Sequence, residues 1–122
     1  MDKIIQNWWK QAELDLSNAE KNVEIKAYYV SVFLCQQAVE KALKALWLKE
    51  RSSKEIPKYH NLLFFFRKLR LPFKFKSACE DLTGAYITTR YPTGLDQDFS
   101  RRDTEELLKK GKEILKWVKE KL

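Results

Sequence analysis

Apolar residues recur every three or four positions along most of this chain, which is the period of an amphipathic α-helix. A first stripe of this kind covers about residues 3–23 and follows Asp2, a residue type that caps helix N-termini. The next stretch, about 27–50, is apolar around most of its circumference, as in a helix that packs against several neighbours. We therefore expect the second helix to be the central one.

Three further helical stretches follow the central one. A short one covers about 59–69, another covers about 75–90, and the last begins at Asp103, where Glu106 three residues later fits a capping box. Glycine and proline number only three each in 122 residues, and no segment alternates apolar and polar residues as a strand would. We predict an all-α fold, an antiparallel up-and-down bundle of about five helices, with residues 1–122 as a single domain.

The short third helix carries a run of five apolar residues, Leu-Leu-Phe-Phe-Phe at 62–66. Consecutive side chains point in all directions around a helix, so a single core is not expected to cover all five. We expect part of the run to face a second copy of the chain. The residues predicted for this dimer interface are Leu63, Phe64, Phe65 and Phe66.

The chain has no apolar run close to the roughly 20 residues of a membrane span. Its first residues also lack the cationic and apolar regions of a signal peptide. We expect a cytoplasmic protein with no membrane partner. Cys35 and Cys79 lie within apolar helical patterns, and buried free thiols are the favoured interpretation over a disulfide.

The net charge of +7 is concentrated in one segment. Residues 51–76 hold eight of the 24 basic residues and one of the 17 acidic residues, which leaves sixteen of each sign elsewhere. A clustered positive field attracts polyanions. The same residues could instead serve only to keep an aromatic-rich segment soluble, and the sequence leaves both interpretations open.

Several kinds of chemistry lack the residues they need. His60 is the only histidine and the two cysteines are far apart, so the sequence predicts no metal site, and it contains no glycine-rich nucleotide loop or catalytic triad. We expect no cofactor. Asp96 and Asp98 resemble a metal-binding pair of carboxylates, but in a loop before a helix they favour capping or solvation.

Two short motifs are candidates for binding an anion. His60 and Asn61 open the third helix, where free backbone N–H groups suit an anion, although the histidine could simply cap the turn. Arg90 ends the fourth helix just before Tyr91 and Pro92, which fix the backbone and would hold the guanidinium in one direction. The alternative is an arginine that only stabilises the helix dipole.

Together these segments resemble the HEPN family of prokaryotic helical domains. The similarity covers nearly the whole chain in order: Trp8, Trp9, Ala12, Asp15, Leu16 and Ala19, then YVSVFLCQQAVEKALKAL (29–46), HNL (60–62), RYP (90–92) and ILKWV (114–118). The resemblance implies a bundle of about five helices, usually a homodimer. It also implies that the protein is often encoded beside a small separate nucleotidyltransferase, with which it forms a toxin–antitoxin-like pair.

Many HEPN proteins are metal-independent RNases that carry arginine, four to six residues, and then histidine. Counting back from His60, the arginine should stand at one of positions 53–55, which hold Ser53, Lys54 and Glu55. The motif is missing, and a lysine lacks the planar fork of arginine. This absence favours a member without nuclease activity.

We therefore expect a non-catalytic module that binds a nucleotide or a nucleic-acid phosphate and acts with a separate nucleotidyltransferase chain. The resemblance places the binding positions on the narrow polar face of the second helix, which includes Gln37, and on the two short motifs. The predicted phosphate-binding residues are Lys41, Lys44, His60, Asn61, Arg90 and Tyr91. One alternative is an RNase in which His60 is the general acid–base and Arg90 stabilises the transition state. The other is a purely structural dimerisation or interaction protein.

Overall fold

The structure, a computed structural model, describes residues 2–51, 55–90 and 99–122. Across these ranges it is helical and contains no strand, which confirms the predicted all-α bundle with a short third helix. A 3₁₀ turn at Phe73–Phe75 precedes the fourth helix. The helices are α1 (Lys3–Glu24), α2 (Tyr28–Arg51), α3 (Leu62–Lys68), α4 (Lys76–Arg90) and α5 (Arg101–Lys121).

Helix α2 is the centre of the bundle. It packs against all four other helices, and most extensively against α1 and α5. Val39, Leu43 and Leu46 are fully buried in the core, which confirms the expectation that a helix apolar on most sides has several neighbours. No helix within the described ranges has the combination of length and apolarity that a membrane span requires.

The helix caps explain where α1 and α5 begin. Asp2 caps α1 as predicted, since its Oδ1 accepts a hydrogen bond of 2.7 Å from the backbone N–H of Ile4. Helix α5 begins at Arg101, so the predicted start at Asp103 is wrong by two residues. Ser100 is the true cap, because its Oγ accepts from the N–H of Asp103 at 3.0 Å.

The apolar run of α3 divides between core and surface. Leu62 and Phe65 are fully buried, and Phe65 lies edge-on to Trp47 with ring centroids 6.0 Å apart. Phe65 therefore belongs to the core of its own chain, and its assignment to a dimer interface is corrected. The three other interface residues, Leu63, Phe64 and Phe66, are partly buried against this core. For them the dimer interface stays a prediction.

A tight turn ends α3 without a glycine. Arg70 has φ of 55°, and its N–H donates to the carbonyl of Arg67 while the N–H of Leu71 donates to the carbonyl of Phe66. These two bonds form a Schellman motif, whose left-handed position is usually occupied by glycine because a Cβ there costs about 1 kcal/mol or more. Lys26 occupies the same position after α1, with φ of 61°.

Both cysteines are free and buried, in agreement with the predicted thiols. Burial raises the pKa of Cys35 to about 12. Burial, together with the negative charge of Glu80, raises the pKa of Cys79 to about 12. Because the thiolate is the reactive form, both side chains act as small apolar core residues at neutral pH.

Gly111 marks the closest approach of α5 to α2. A Cβ at this position would lie 2.6 Å from Cys35 Sγ and 3.6 Å from Val39 Cγ2. The two helices therefore pack at a distance that only a residue without a side chain permits. At Gly84 in α4, by contrast, a Cβ would meet nothing within 4 Å.

We predict that Gly111→Ala destabilises the protein and that Gly84→Ala stabilises it. Alanine favours a helix by about 1 kcal/mol over glycine at both positions. At Gly111 the clash with Cys35 outweighs this gain by about 1–2 kcal/mol, because overpacking a core typically costs about 1–3 kcal/mol. Urea denaturation of the two variants measures the difference.

The double variant Gly111→Ala/Cys35→Ala is the control for the mechanism. Removing the sulfur makes room for the new methyl group, so the double variant should be more stable than the sum of the two single changes. Strict additivity would contradict the proposed clash.

Candidate functional site

A buried carboxylate on α2 organises the candidate site. Glu40 has only 5% of its side chain exposed, and its two oxygens accept three hydrogen bonds of 3.0 Å. Oε1 accepts from Gln36 Nε2 and His60 Nδ1, and Oε2 accepts from Lys44 Nζ. Gln36, Glu40 and Lys44 share one face of α2 because they are spaced four residues apart. A buried charge requires this degree of pairing.

His60 connects this buried cluster to the surface. Because a carboxylate only accepts hydrogen bonds, we assign the ring proton to Nδ1, the nitrogen that faces Glu40. The ring stacks on Tyr86 of α4 with centroids 4.9 Å apart, and the backbone oxygen of His60 accepts from Gln36 Nε2 at 3.3 Å. Half of the side chain, 51%, is exposed. Nε2, on the far side of the ring from Glu40, is thus available to a ligand.

The N-terminus of α3 is occupied by protein groups. The side chain of Asn61 accepts from the N–H of Leu63 at 2.9 Å, and its backbone oxygen accepts from the N–H of Phe64 at 3.2 Å. The N–H of Leu62 donates to Thr83 Oγ1 at 3.1 Å. The free N–H groups expected after His60 are therefore already bonded, and Asn61 acts here as a helix cap. The site depends on the histidine ring rather than on the helix end.

The two lysines predicted to bind phosphate have carboxylate partners of their own. Lys41 Nζ lies 2.5 Å from Asp15 Oδ2 in α1, and Lys44 Nζ pairs with Glu40 as described above. Lys44 is almost completely buried, and its Nζ lies 5.7 Å from the ring centroid of Trp8. We therefore place both lysines behind the site, where they link α1 to α2, and not in direct contact with a ligand.

A polar chain continues from these lysines to the neighbouring amides. Gln11 Nε2 donates to Asp15 Oδ1 at 2.9 Å, and Gln37 Nε2 donates to Gln36 Oε1 at 2.7 Å. The polar face of α2, which the family resemblance marked as binding positions, thus forms a hydrogen-bonded network within the fold.

Helix α4 carries the second predicted motif towards the same region. It ends at Arg90, one helical turn beyond Tyr86 and therefore about 6 Å further along the helix. The side chain of Arg90, and the whole of Tyr91, Asp96 and Asp98, lie outside the described residues. No cluster of three or more potential metal ligands occurs in the part of the chain that the structure describes.

The basic segment forms a separate cleft at the other end of α3. The cleft has a volume of about 510 Å³, and Arg51 lies about 16 Å from Glu40 along α2 at about 1.5 Å per residue. Trp117 and Lys121 of α5 complete it, and neither was predicted as a site residue from the sequence. Their i,i+4 spacing, which puts Lys121 Nζ 5.5 Å from the indole centroid, was the available signal. The cleft is lined by Glu50, Arg51, Lys68, Leu69, Arg70, Trp117 and Lys121.

Comparison with known proteins decides the family. The sequence model of the HEPN domain matches residues 5–121. This chain belongs to the HEPN domain family. No protein in the curated set shows significant sequence similarity to it.

Two solved structures share the HEPN fold of this chain along nearly their whole length. TT1696 from Thermus thermophilus is 29% identical with a TM-score of 0.86, and the match covers 97% of this chain and 98% of that one. ST0689, an archaeal HEPN homologue, is 28% identical with a TM-score of 0.79, and the match covers 98% of this chain and 97% of that one. These matches confirm the family that the sequence resembled.

We predict that Glu40→Gln destabilises the protein by about 3 kcal/mol, because it leaves the buried ammonium of Lys44 without a counter-charge. Replacing both members, Glu40→Gln/Lys44→Met, should recover at least about 1 kcal/mol. Thermal or urea denaturation measures both effects. The control is Glu106→Gln, which breaks an exposed pair with Arg102 and should change stability by less than about 0.5 kcal/mol.

A spectroscopic measurement tests the orientation of His60. As the only histidine, it gives a single set of imidazole signals in an ¹H–¹⁵N spectrum. The neutral ring should carry its proton on Nδ1 in the native protein, because that nitrogen donates to Glu40. A native ring protonated on Nε2 alone would contradict this hydrogen bond.

Proposed function

We propose that this HEPN protein is a non-catalytic module that binds a nucleotide or nucleic-acid phosphate through His60 and Arg90. The observation that carries the proposal is the histidine ring held between Glu40 and Tyr86, with Nε2 left available at the surface. A ring fixed in this way loses little entropy when a ligand oxygen binds to it.

The position of α4 supports a shared role for the two residues. Tyr86 contacts the His60 ring, and Arg90 follows one turn later on the same helix. A guanidinium supplies the paired donors that a phosphate accepts. The positive excess in residues 51–76 would attract the same kind of ligand over a longer range.

The residues before His60 favour binding over cleavage. No arginine stands at positions 53–55, where four to six residues would separate it from His60, so the chain lacks the spacing of the nuclease members. We therefore propose a role within a toxin–antitoxin-like pair, in which a separate nucleotidyltransferase chain supplies the chemistry. We further propose a cytoplasmic location and a homodimer in which Leu63, Phe64 and Phe66 face the second copy.

We predict that the protein binds single-stranded RNA with an affinity that falls steeply with salt. Each phosphate contact releases counterions, and the slope of log K against log salt is about −0.7 per contact on a single strand. His60→Ala and Arg90→Ala should each weaken binding roughly fivefold or more. Fluorescence anisotropy of a labelled decauridylate, measured from about 50 to 200 mM salt, tests this.

Arg102→Ala is the matched control for Arg90→Ala. Arg102 is an exposed cation on α5, 88% exposed and paired only weakly with Glu106, so its loss should leave binding unchanged within about twofold. Binding that is constant across the salt range, or equal in native protein and Arg90→Ala, would contradict the proposed function.

One observation favours a second candidate, a metal-independent RNase. A carboxylate that fixes the histidine proton on Nδ1 leaves Nε2 as a base, which is the arrangement that general acid–base catalysis uses. In this alternative His60 moves the proton and Arg90 stabilises the negative charge on the phosphate oxygens in the transition state.

Cleavage of the labelled RNA in the presence of EDTA separates the two candidates. The binding proposal predicts intact RNA with the native protein and with every variant. Cleavage that is lost in both His60→Ala and Arg90→Ala would establish the RNase and rule out the non-catalytic module.

A further inference from the structure

The cleft at the far end of α3 concentrates cations without neutralising them. Arg51, Lys68, Arg70 and Lys121 line it together with a single carboxylate, Glu50. No ion pair within the described residues involves any of these four cations. Some other surface cations do have partners, as Lys110 does in Asp81 and Lys112 does in Glu20. The field of this cleft is therefore positive and directed at solvent.

Two aromatic rings accompany the cations, Trp117 inside the cleft and Phe73 close to Arg70 in the chain, where Lys76 Nζ lies 5.8 Å from the centroid of the Phe73 ring. Trp117 lies in the cleft and packs edge-on against Phe75, with ring centroids 6.3 Å apart. Phe73, in the 3₁₀ turn three residues after Arg70, is 80% exposed. A phenylalanine so exposed contributes little to the core, and a flat apolar face beside cations is what stacks on the bases of a single strand.

The backbone at Arg70 adds a separate observation. Arginine stands at φ of 55° in a position where glycine would be less strained, and its side chain lines the cleft. Strain kept at a binding surface is typical of positions where the side chain is needed. Lys26 shows the same strain at the other end of α2, so strain alone does not define the site, and it provides a matched control.

We propose that this cleft, with Arg51, Lys68, Arg70 and Lys121 as phosphate contacts and Phe73 as a stacking face, binds single-stranded RNA. This inference rests on the proposed function, because it makes the ligand a strand rather than a mononucleotide.

The test compares two variants of the cleft with two matched variants at the opposite end of α2. In the decauridylate assay, Arg70→Gly should weaken binding roughly fivefold and lower the salt slope by about 0.7, because one phosphate contact is lost. Phe73→Ala should weaken binding roughly tenfold through lost stacking. Lys26→Gly removes the same charge from the same backbone conformation, and Tyr29→Ala removes an exposed aromatic ring, so both should stay within about twofold of native.

Thermal denaturation of each variant shows whether weaker binding results from a less stable protein. Arg70→Gly relieves backbone strain, so its melting temperature should equal or exceed the native value, as should that of Lys26→Gly. Weaker binding by a protein that is no less stable supports a direct contact. Equal losses in Arg70→Gly and Lys26→Gly would overturn the inference, because they would reflect net charge alone.

The binding losses of the His60-site variants and of the cleft variants, taken together, distinguish a failure of this inference from a failure of the proposed function. If His60→Ala and Arg90→Ala weaken binding while the cleft variants do not, the proposed function stands and this inference fails. If the cleft variants alone weaken binding, the inference of an RNA-binding cleft stands and the His60 site is not part of it. A cleft that binds vesicles of acidic phospholipid but no RNA would also overturn it.

Discussion

The buried carboxylate of Glu40 is the interaction on which the rest of this structure depends. An ionised group with 5% exposure is tolerated only when its oxygens are fully bonded, and here the partners come from α2 itself and from the segment before α3. Because His60 is one of these partners, the start of α3 is fixed against the centre of the bundle. The same bond decides which nitrogen of His60 is available at the surface, so packing and chemistry share one contact.

The same network explains why the cationic cleft and the His60 site lie in different places. Lys41 and Lys44 lie in the middle of α2, and their charges are neutralised by Asp15 and Glu40. The cationic cleft lies beyond them, at the end of α2 and in the turn after α3. An oriented histidine therefore lies at one end of α3 and the cationic cleft at the other. Glu40 fixes the orientation of His60, while the cleft depends on the turn at Arg70.

The sequence predicts the helices well because their apolar periodicity is strong and their breaks are few. It predicts the start of α5 less well, since Asp103 and Ser100 are both good capping residues and only the structure shows which one the backbone uses. It also misplaces Phe65, because position on a helix wheel does not reveal that Trp47 of α2 covers that face. Short helices are the hardest case, since few residues define which side is buried.

The candidate site is predictable only in part, for a physical reason. His60 stands out as the single histidine. For Glu40, however, the sequence predicts only an ion pair with Lys44, four residues away on the same helix. The contact between Glu40 and His60 joins residues twenty positions apart, and it exists only because α3 packs on α2. Long-range contacts of this kind follow from the fold. The same reasoning applies to the cleft, where Trp117 of α5 meets Arg70 in a single surface that no segment of the chain contains alone. A chain that lacks the spacing of the nuclease motif can thus keep an oriented histidine, because the fold and not the motif supplies the partner that orients it.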